Sequence, residues 1–251
     1  MDTGFHKIAD SKYFAFDAVS NSLLKDVHVG GTAWARVKQK TPWVQSASMR
    51  IGTALHYAVF DQDEFAQVIK RKKFSGTGSV AAQKEWDAEH SGKLMLSNED
   101  YEKVCRMRDM VLGLCGPFDG GMSEVSAIAG IKGSDMKRKA KIDHLTKDCV
   151  WDLKSASSVD INKFRYQARD LHYDMQPAWY IDCAHAVDGI DREFCWVVVK
   201  NSDPIDVRIY RASGDDVVAG RHRCNCALDE WHESVKTGIY KPRILPLDIH
   251  D

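Results

Sequence analysis

The chain has 251 residues, 44% of them apolar and 28% charged, with a formal net charge of −1. That apolar share excludes wholesale disorder, and the length suffices to bury one large core. No apolar run is long enough to span a bilayer. Residues 1–6 show neither the basic start nor the apolar stretch of a secretory leader, so a cytoplasmic protein with no membrane partner is expected.

Ser20-Asn21-Ser22-Leu23-Leu24 reads as a capped helix start. Residues 48–60 are amphipathic, with Ile51, Leu55, Ala58 and Val59 on one side. Gly52 and His56 lie one turn apart on a shared face. The missing side chain at Gly52 leaves room beside His56 for another backbone or a ligand. The basic run Lys70-Arg71-Lys72-Lys73 reads as solvated, and the Gly/Ser-rich residues 74–79 as a flexible loop. Ser97-Asn98-Glu99-Asp100 resembles a capping box, opening a helix through Tyr101, Val104, Cys105, Val111 and Leu112. Residues 113–121, with Pro117, end it.

The chain then changes character. Residues 123–131, 136–145 and 150–154 read as three successive strands with turns at 130–134 and 146–148. After a polar linker comes a helix with apolar Met175, Trp179, Cys183, Ala184 and Val187. Asp174 as its N-cap places Pro177 in the first turn, where a missing N–H costs nothing. Residues 193–199 and 205–210 read as two more strands, and 213–236 as a long helix stopped by Gly238. No repeat or clean boundary divides the chain. The expectation is one domain over 1–251, with a mainly helical part over 1–115 carrying His56 and a sheet core with a closing helix over 120–251. The pattern alone supports mixed α/β with a central sheet.

Seven cysteines, Cys105, Cys115, Cys149, Cys183, Cys195, Cys224 and Cys226, form an odd set in mostly apolar settings, as expected of reduced thiols. Cys224 and Cys226 are close-spaced without a second pair, so neither a structural zinc nor an iron–sulfur cluster is expected.

The chemistry concentrates in Lys141-Ile142-Asp143-His144 and Trp151-Asp152-Leu153-Lys154. On a strand, Asp152 and Lys154 point to the same face. Alone, Asp-x-Lys is more often a solvated ion pair than a site. Its company raises the functional reading: His56 upstream, Glu124 within Met122-Ser123-Glu124-Val125-Ser126, and Gln176-Pro177-Ala178-Trp179-Tyr180 downstream. Hard cations take carboxylate oxygens and a lysine supplies a point charge, which suits phosphodiester hydrolysis.

This ordered set, from about residue 20 to about 242, resembles the PD-(D/E)XK nuclease superfamily, and within it the RecE-type (exodeoxyribonuclease VIII) and lambda-exonuclease-like recombination nucleases. The chain departs from the superfamily's name twice. Ile142 replaces the proline before the first acid, and Asp152 stands where many members have Glu. Neither change removes a ligand.

The resemblance implies an α/β, restriction-endonuclease-like core: a central mixed sheet flanked by helices, with a helical N-terminal part. It implies Mg²⁺, with Mn²⁺ able to substitute, held by Asp143, Asp152 and the backbone carbonyl of Leu153. His56 and Glu124 would serve a second metal or its water. Lys154 would orient or help deprotonate the attacking water, and Gln176 and Tyr180 would line the cleft. Ser155, Lys137, Arg138 and Lys139 are candidate DNA contacts. The implied activity is an exonuclease of phage or prophage origin in a bacterial host. It would resect linear duplex DNA 5′→3′ to mononucleotides, as a trimeric or tetrameric ring, for a single-strand annealing protein. The alternatives are an endonuclease or Cas4-like end-processing nuclease on the same core, or a catalytically silent DNA-binding module.

Overall fold

The computed structural model describes residues 1–41, 44–71, 80–116, 118 and 120–244. In chain order, β1 (Gly4–His6), α1 (Asp10–Ala15) and β2 (Val19–Ser20) lead into α2 (Asn21–Lys40) and α3 (Ala47–Phe60). α4 (Gln62–Val68), β3 (Ile69–Arg71), α5 (Val80–Glu89), β4 (Leu94–Leu96) and α6 (Asn98–Cys115) complete the helical part. Then come β5 (Met122–Gly130), β6 (Lys137–Leu145), β7 (Cys149–Ala156), α7 (Ile161–Asp170), α8 (Met175–Asp188), β8 (Glu193–Lys200), β9 (Val207–Arg211) and α9 (Gly214–Thr237).

Polar caps set several of these starts. Ser20, Ser97 and Ser213 each accept from the backbone N–H three residues on, at 3.3, 3.0 and 3.1 Å. Gly238 closes α9 in the left-handed region, as its sequence position suggests. Asp174 does precede α8, but its carboxylate makes no cap and instead pairs with Arg223 of α9. The stretch expected to be a polar linker is corrected in part: residues 161–170 form α7, capped by Asp160. This helix buries only Phe164, so it carries no apolar period to read. The loop expected over 74–79, the far end of the basic run before it, and Pro117 lie outside the described residues.

The strands form a seven-stranded mixed sheet ordered β1-β5-β6-β7-β8-β9, with β2 joined to β6. β7 runs parallel to β8 along eight residue pairs, and β2 runs parallel to β6; the other pairings in this sheet are antiparallel, while β3 and β4 pair in parallel as a separate two-stranded sheet. Helices α2, α8 and α9 cover one face, burying Leu24, Val27, Ile142, Val150, Trp179, Phe194 and Trp231. On the other face α3 and α6 bury Leu55, Val104 and Met107 against Leu153, Val197 and Val199. No helix among the described residues is long and apolar enough to cross a membrane.

Two glycines allow close backbone approaches. α2 kinks at Gly31, where φ is +80° and the returning C-terminal strand of backbone passes. There Ala33 N–H donates to Lys241 O and Arg243 N–H to Gly30 O, each at 3.0 Å. On α9, a Cβ at Gly220 would stand 2.0 Å from the carbonyl oxygen of Asp174. Gly220→Ala must therefore push α9 off α8, and should lower stability by about 1–3 kcal/mol. Urea unfolding of this variant beside the parent measures it, and an unchanged midpoint would contradict this packing.

The arrangement that matters for chemistry is a fork. β6 pairs with β7 only at His144↔Trp151 and Leu145↔Val150. Further along the same strand it pairs instead with β2, at Val19↔Arg138 and Ser20↔Lys139. Between these contacts β6 and β7 diverge, and backbone groups on both facing edges lose their ladder partners.

Candidate active site

The fork gathers residues from both faces of the sheet. Asp143 sits where β6 leaves β7. Its Oδ2 accepts from the backbone N–H of Leu153 at 2.7 Å, replacing the ladder bond that the divergence removes. From α3, His56 Nε2 lies 3.1 Å from the Leu153 carbonyl, which the same divergence frees. With Nε2–H donating there, Nδ1 turns toward acid: it is 3.4 Å from Asp143 Oδ1 and 3.7 Å from Glu124 Oε1.

Glu124 reaches this point through a backbone reversal. Its φ is +50°, and β5 and β6 pair at Ser123↔His144 and Val125↔Ile142 with no pair between. A glutamate held in the left-handed region inside a strand costs about 1–3 kcal/mol, and such strain concentrates at functional positions. Lys141 Nζ holds the other Glu124 oxygen at 3.0 Å and also binds Asp10.

On the α8 side of the fork, Asp152 is nearly sealed from solvent. Lys154 Nζ is 2.6 Å from Asp152 Oδ2, so the same-face expectation for this pair holds. Gln176 of α8 donates to Asp152 Oδ1 at 2.5 Å. Tyr180 follows one turn later, its ring edge-on to Phe194. Burial, with Tyr13, Asp152 and Asp143 nearby, pushes the Tyr180 hydroxyl well above the ordinary tyrosine range.

The charges are strongly interdependent. Burial works against the His56 imidazolium, but Asp143 and Glu124 override it and raise that pKa well above the usual histidine value. Burial likewise opposes ionisation of Asp143, yet the His56 charge holds its carboxyl below the ordinary range. Asp152 moves the other way: burial dominates, Asp143 repels, and Lys154 compensates only in part. Burial also opposes the Lys154 ammonium, but Asp152 and Asp143 keep it charged.

Three donor atoms converge closely enough to share a cation. One ligand atom each of His56, Glu124 and Asp143 lies within 4.8 Å of the others. Among the described residues, buried Glu124 Oε1 has no hydrogen-bond partner and lies 3.7 Å from His56 Nδ1. A buried acceptor left unsatisfied is costly, and two carboxylates with an imidazole match a divalent cation. The residues present therefore fit such an ion. The expected ligands fall into two groups. The close triad is His56–Glu124–Asp143, whereas Asp152 is already engaged by Lys154 and Gln176, and the Leu153 carbonyl faces His56.

The candidate DNA contacts are placed less uniformly. Ser155 lies beside α3, where a Cβ on Gly52 would meet its Oγ at 3.9 Å, an ordinary contact. Lys139 is corrected: it is buried, and its ammonium donates to the carbonyls of Tyr13 and Phe16 at 2.8 and 2.7 Å, leaving it turned inward. Arg138 lies 5.2 Å over the Trp179 ring, and Lys137 donates to the Met1 carbonyl at 2.6 Å. The basic stretch thus anchors the N-terminal segment to the sheet. His144 is structural, sharing a 2.8 Å hydrogen bond with Ser123 and stacking on Phe60.

Two residues near the site have roles that only the fold reveals. Lys141 alternates with Asp143 along β6, but only the fold shows that it grips Glu124. Tyr173, in the turn before α8, has Lys154 Nζ 5.3 Å from its ring centre.

If His56 serves a bound cation, His56→Ala should lower turnover about 10- to 100-fold while changing stability modestly. Steady-state kinetics beside thermal unfolding tests this. A large stability loss with near-normal turnover would make His56 a structural histidine.

The sheet, its fork and the flanking helices define a PDDEXK-like fold. The chain belongs to the family described as PDDEXK-like domain of unknown function (DUF3799), whose profile matches residues 20–243. A protein from Eubacterium rectale, provisionally assigned as an exonuclease, shares the fold with a TM-score of 0.66 at 16% identity, over 97% of this chain and 96% of that one. A phage-related exonuclease from Haemophilus somnus 129PT matches over 89% of this chain and 98% of that one at 10% identity, with a TM-score of 0.37. No curated protein sequence matches the chain.

Proposed function

We propose that this chain is a divalent-metal-dependent deoxyribonuclease that resects linear duplex DNA from its ends. The observation that supports this reading is the fork, where His56, Glu124 and Asp143 converge beside the Asp152–Lys154 pair. Those three residues would hold the cation, with the Asp152–Lys154 pair beside them. The cation, Mg²⁺ or Mn²⁺, would polarise a phosphoryl oxygen and activate water for attack.

The chain's own groups do the rest. The Leu153 N–H fixes the direction of Asp143, and Gln176 fixes that of Asp152. Lys154, held as the ammonium, places a fixed positive charge beside the phosphoryl group and stabilises charge that builds up in the transition state. This favours the electrostatic role over proton abstraction for that residue. Preset donors need little reorganisation during reaction, which is where such sites gain rate.

The finer reading is exonucleolytic, 5′→3′, releasing mononucleotides and leaving a single strand for an annealing protein in phage-type recombination. A chain of net charge −1 has little global pull on DNA, so retention on a long substrate would come from enclosure. We therefore include a closed trimeric or tetrameric ring with the sites facing its channel. Linear duplex labelled at either 5′ end, incubated with Mg²⁺ beside covalently closed circles, tests the reading. Labelled mononucleotide released early from linear DNA, with circles intact, is expected. Cutting of circles would favour an endonuclease. Light scattering showing a monomer at micromolar concentration, with distributive cleavage, would remove the ring.

A further inference from the structure

Helix α7 follows directly on the strand that carries Asp152 and Lys154 and precedes the turn that carries Tyr173. It is fixed to the sheet by one residue. Phe164, its sole buried side chain, stacks on Tyr210 at 5.1 Å and meets Trp196 and Tyr173 at 6.1 and 6.2 Å between ring centres. Tyr173 is also the ring beside Lys154. The helix is thus two ring contacts from the site.

Its outer face is unlike the rest of this near-neutral chain. Lys163, Arg165 and Arg169 are exposed, against one acid, Asp170. Among the described residues, no carboxylate pairs with any of these three cations. Between them Tyr166 stands 62% exposed, with the Arg169 guanidinium 5.5 Å from its ring centre. Helical spacing puts Tyr166 and Arg169 on the face opposite Phe164, with Arg165 and Lys163 to either side.

Exposing a tyrosine among unpaired cations does nothing for folding. It does suit a strand with a phosphate backbone and unstacked bases, because a base can lie on the ring while phosphates meet the cations. Duplex DNA keeps its bases stacked inside and offers this ring no base face.

We propose that the outer face of α7 binds single-stranded nucleic acid next to the active site, Tyr166 stacking on a base and Lys163, Arg165 and Arg169 holding the backbone. This rests on the nuclease reading for its purpose, since the strand bound would be the one left unpaired at the site. It does not rest on that reading for its chemistry.

Fluorescence anisotropy of the full chain, with a labelled 20-nucleotide oligothymidylate or a 20-base-pair duplex in chelator, tests it. Tyr166→Ala should weaken oligothymidylate binding about fivefold or more and leave duplex binding nearly unchanged. Joint replacement K163Q/R165Q/R169Q should reduce the slope of log affinity against log salt for the single strand by about 2, or roughly 0.7 for each phosphate no longer neutralised. Thermal unfolding establishes that both variants remain folded, as exposed positions permit. Hydrolysis of bis(p-nitrophenyl) phosphate, too small to reach α7, should be unchanged in both. Single-strand affinity and salt slope equal to the parent's would overturn the proposal, as would an equal loss for duplex and single strand. If the parent hydrolyses no diester while the variants still lose single-strand binding, the nuclease reading fails and the α7 surface stands.

Discussion

Lys154→Ala and Asp152→Asn should each lower DNA hydrolysis by about a hundredfold or more, with fold and DNA binding largely retained. The two side chains are 2.6 Å apart, and Asp152 is 2% exposed, so each change strips a fixed charge from a site that excludes most water. Neither variant need unfold. When Lys154 is truncated, Asp152 is left buried, but its pKa is already raised by burial, so it can take up a proton. In Asp152→Asn the amide keeps an oxygen for Gln176, and Lys154 still feels Asp143. Turnover on a labelled duplex, read beside thermal unfolding and anisotropy, measures the effect. Turnover within a few-fold of the parent in a folded variant would sink the assignment of this pair.

Chelation should abolish turnover entirely, and Mg²⁺ or Mn²⁺ should restore it. Glu124 is strained at φ +50°, and among the described residues its buried Oε1 makes no hydrogen bond, only a 3.7 Å approach to His56 Nδ1. A cation shared with His56 and Asp143 would satisfy that oxygen and neutralise the paired acids. Ca²⁺ should bind yet support little cleavage, because its looser and larger shell positions water poorly. Binding has a second readout. At about a hundred times its dissociation constant the ion should stabilise the fold by about 2.7 kcal/mol. Asp143→Asn should remove most of that shift. Full cleavage in chelator would eliminate the metal mechanism, and an unchanged shift in Asp143→Asn would place the ion elsewhere.

The expected elements are found where the pattern is regular. Apolar alternation and serine caps locate β5 to β9, α3, α6, α9 and the start of α2 to within a few residues. α7 escapes because one anchor, Phe164, replaces a periodic stripe. The short β1, α1 and β2 escape because they gain their order from contacts made far away, such as Lys139 reaching the carbonyls of Tyr13 and Phe16. The basic stretch at 137–141 is misleading for the same reason. Lys139 looks available for phosphate in sequence, yet it is bound within the fold.

What the sequence determined by itself is whatever a short-range period fixes. Residues two apart on a strand share a face, which pairs Asp152 with Lys154. Residues four apart on a helix share a face, which aligns Gln176 with Tyr180 and Gly52 with His56. The tertiary structure decided how these pieces meet. The fork exists because β2 takes one end of the β6 edge while β7 takes the other, a choice between partners distant in the chain. That divergence frees the Leu153 backbone, draws Asp143 into the gap and brings His56 to within 3.1 Å of a carbonyl 97 residues away. The reversal at Glu124 depends on Lys141 and His56 being in place to receive its carboxylate. No local period encodes either event, because the energy that selects them comes from contacts formed only when the whole sheet is assembled.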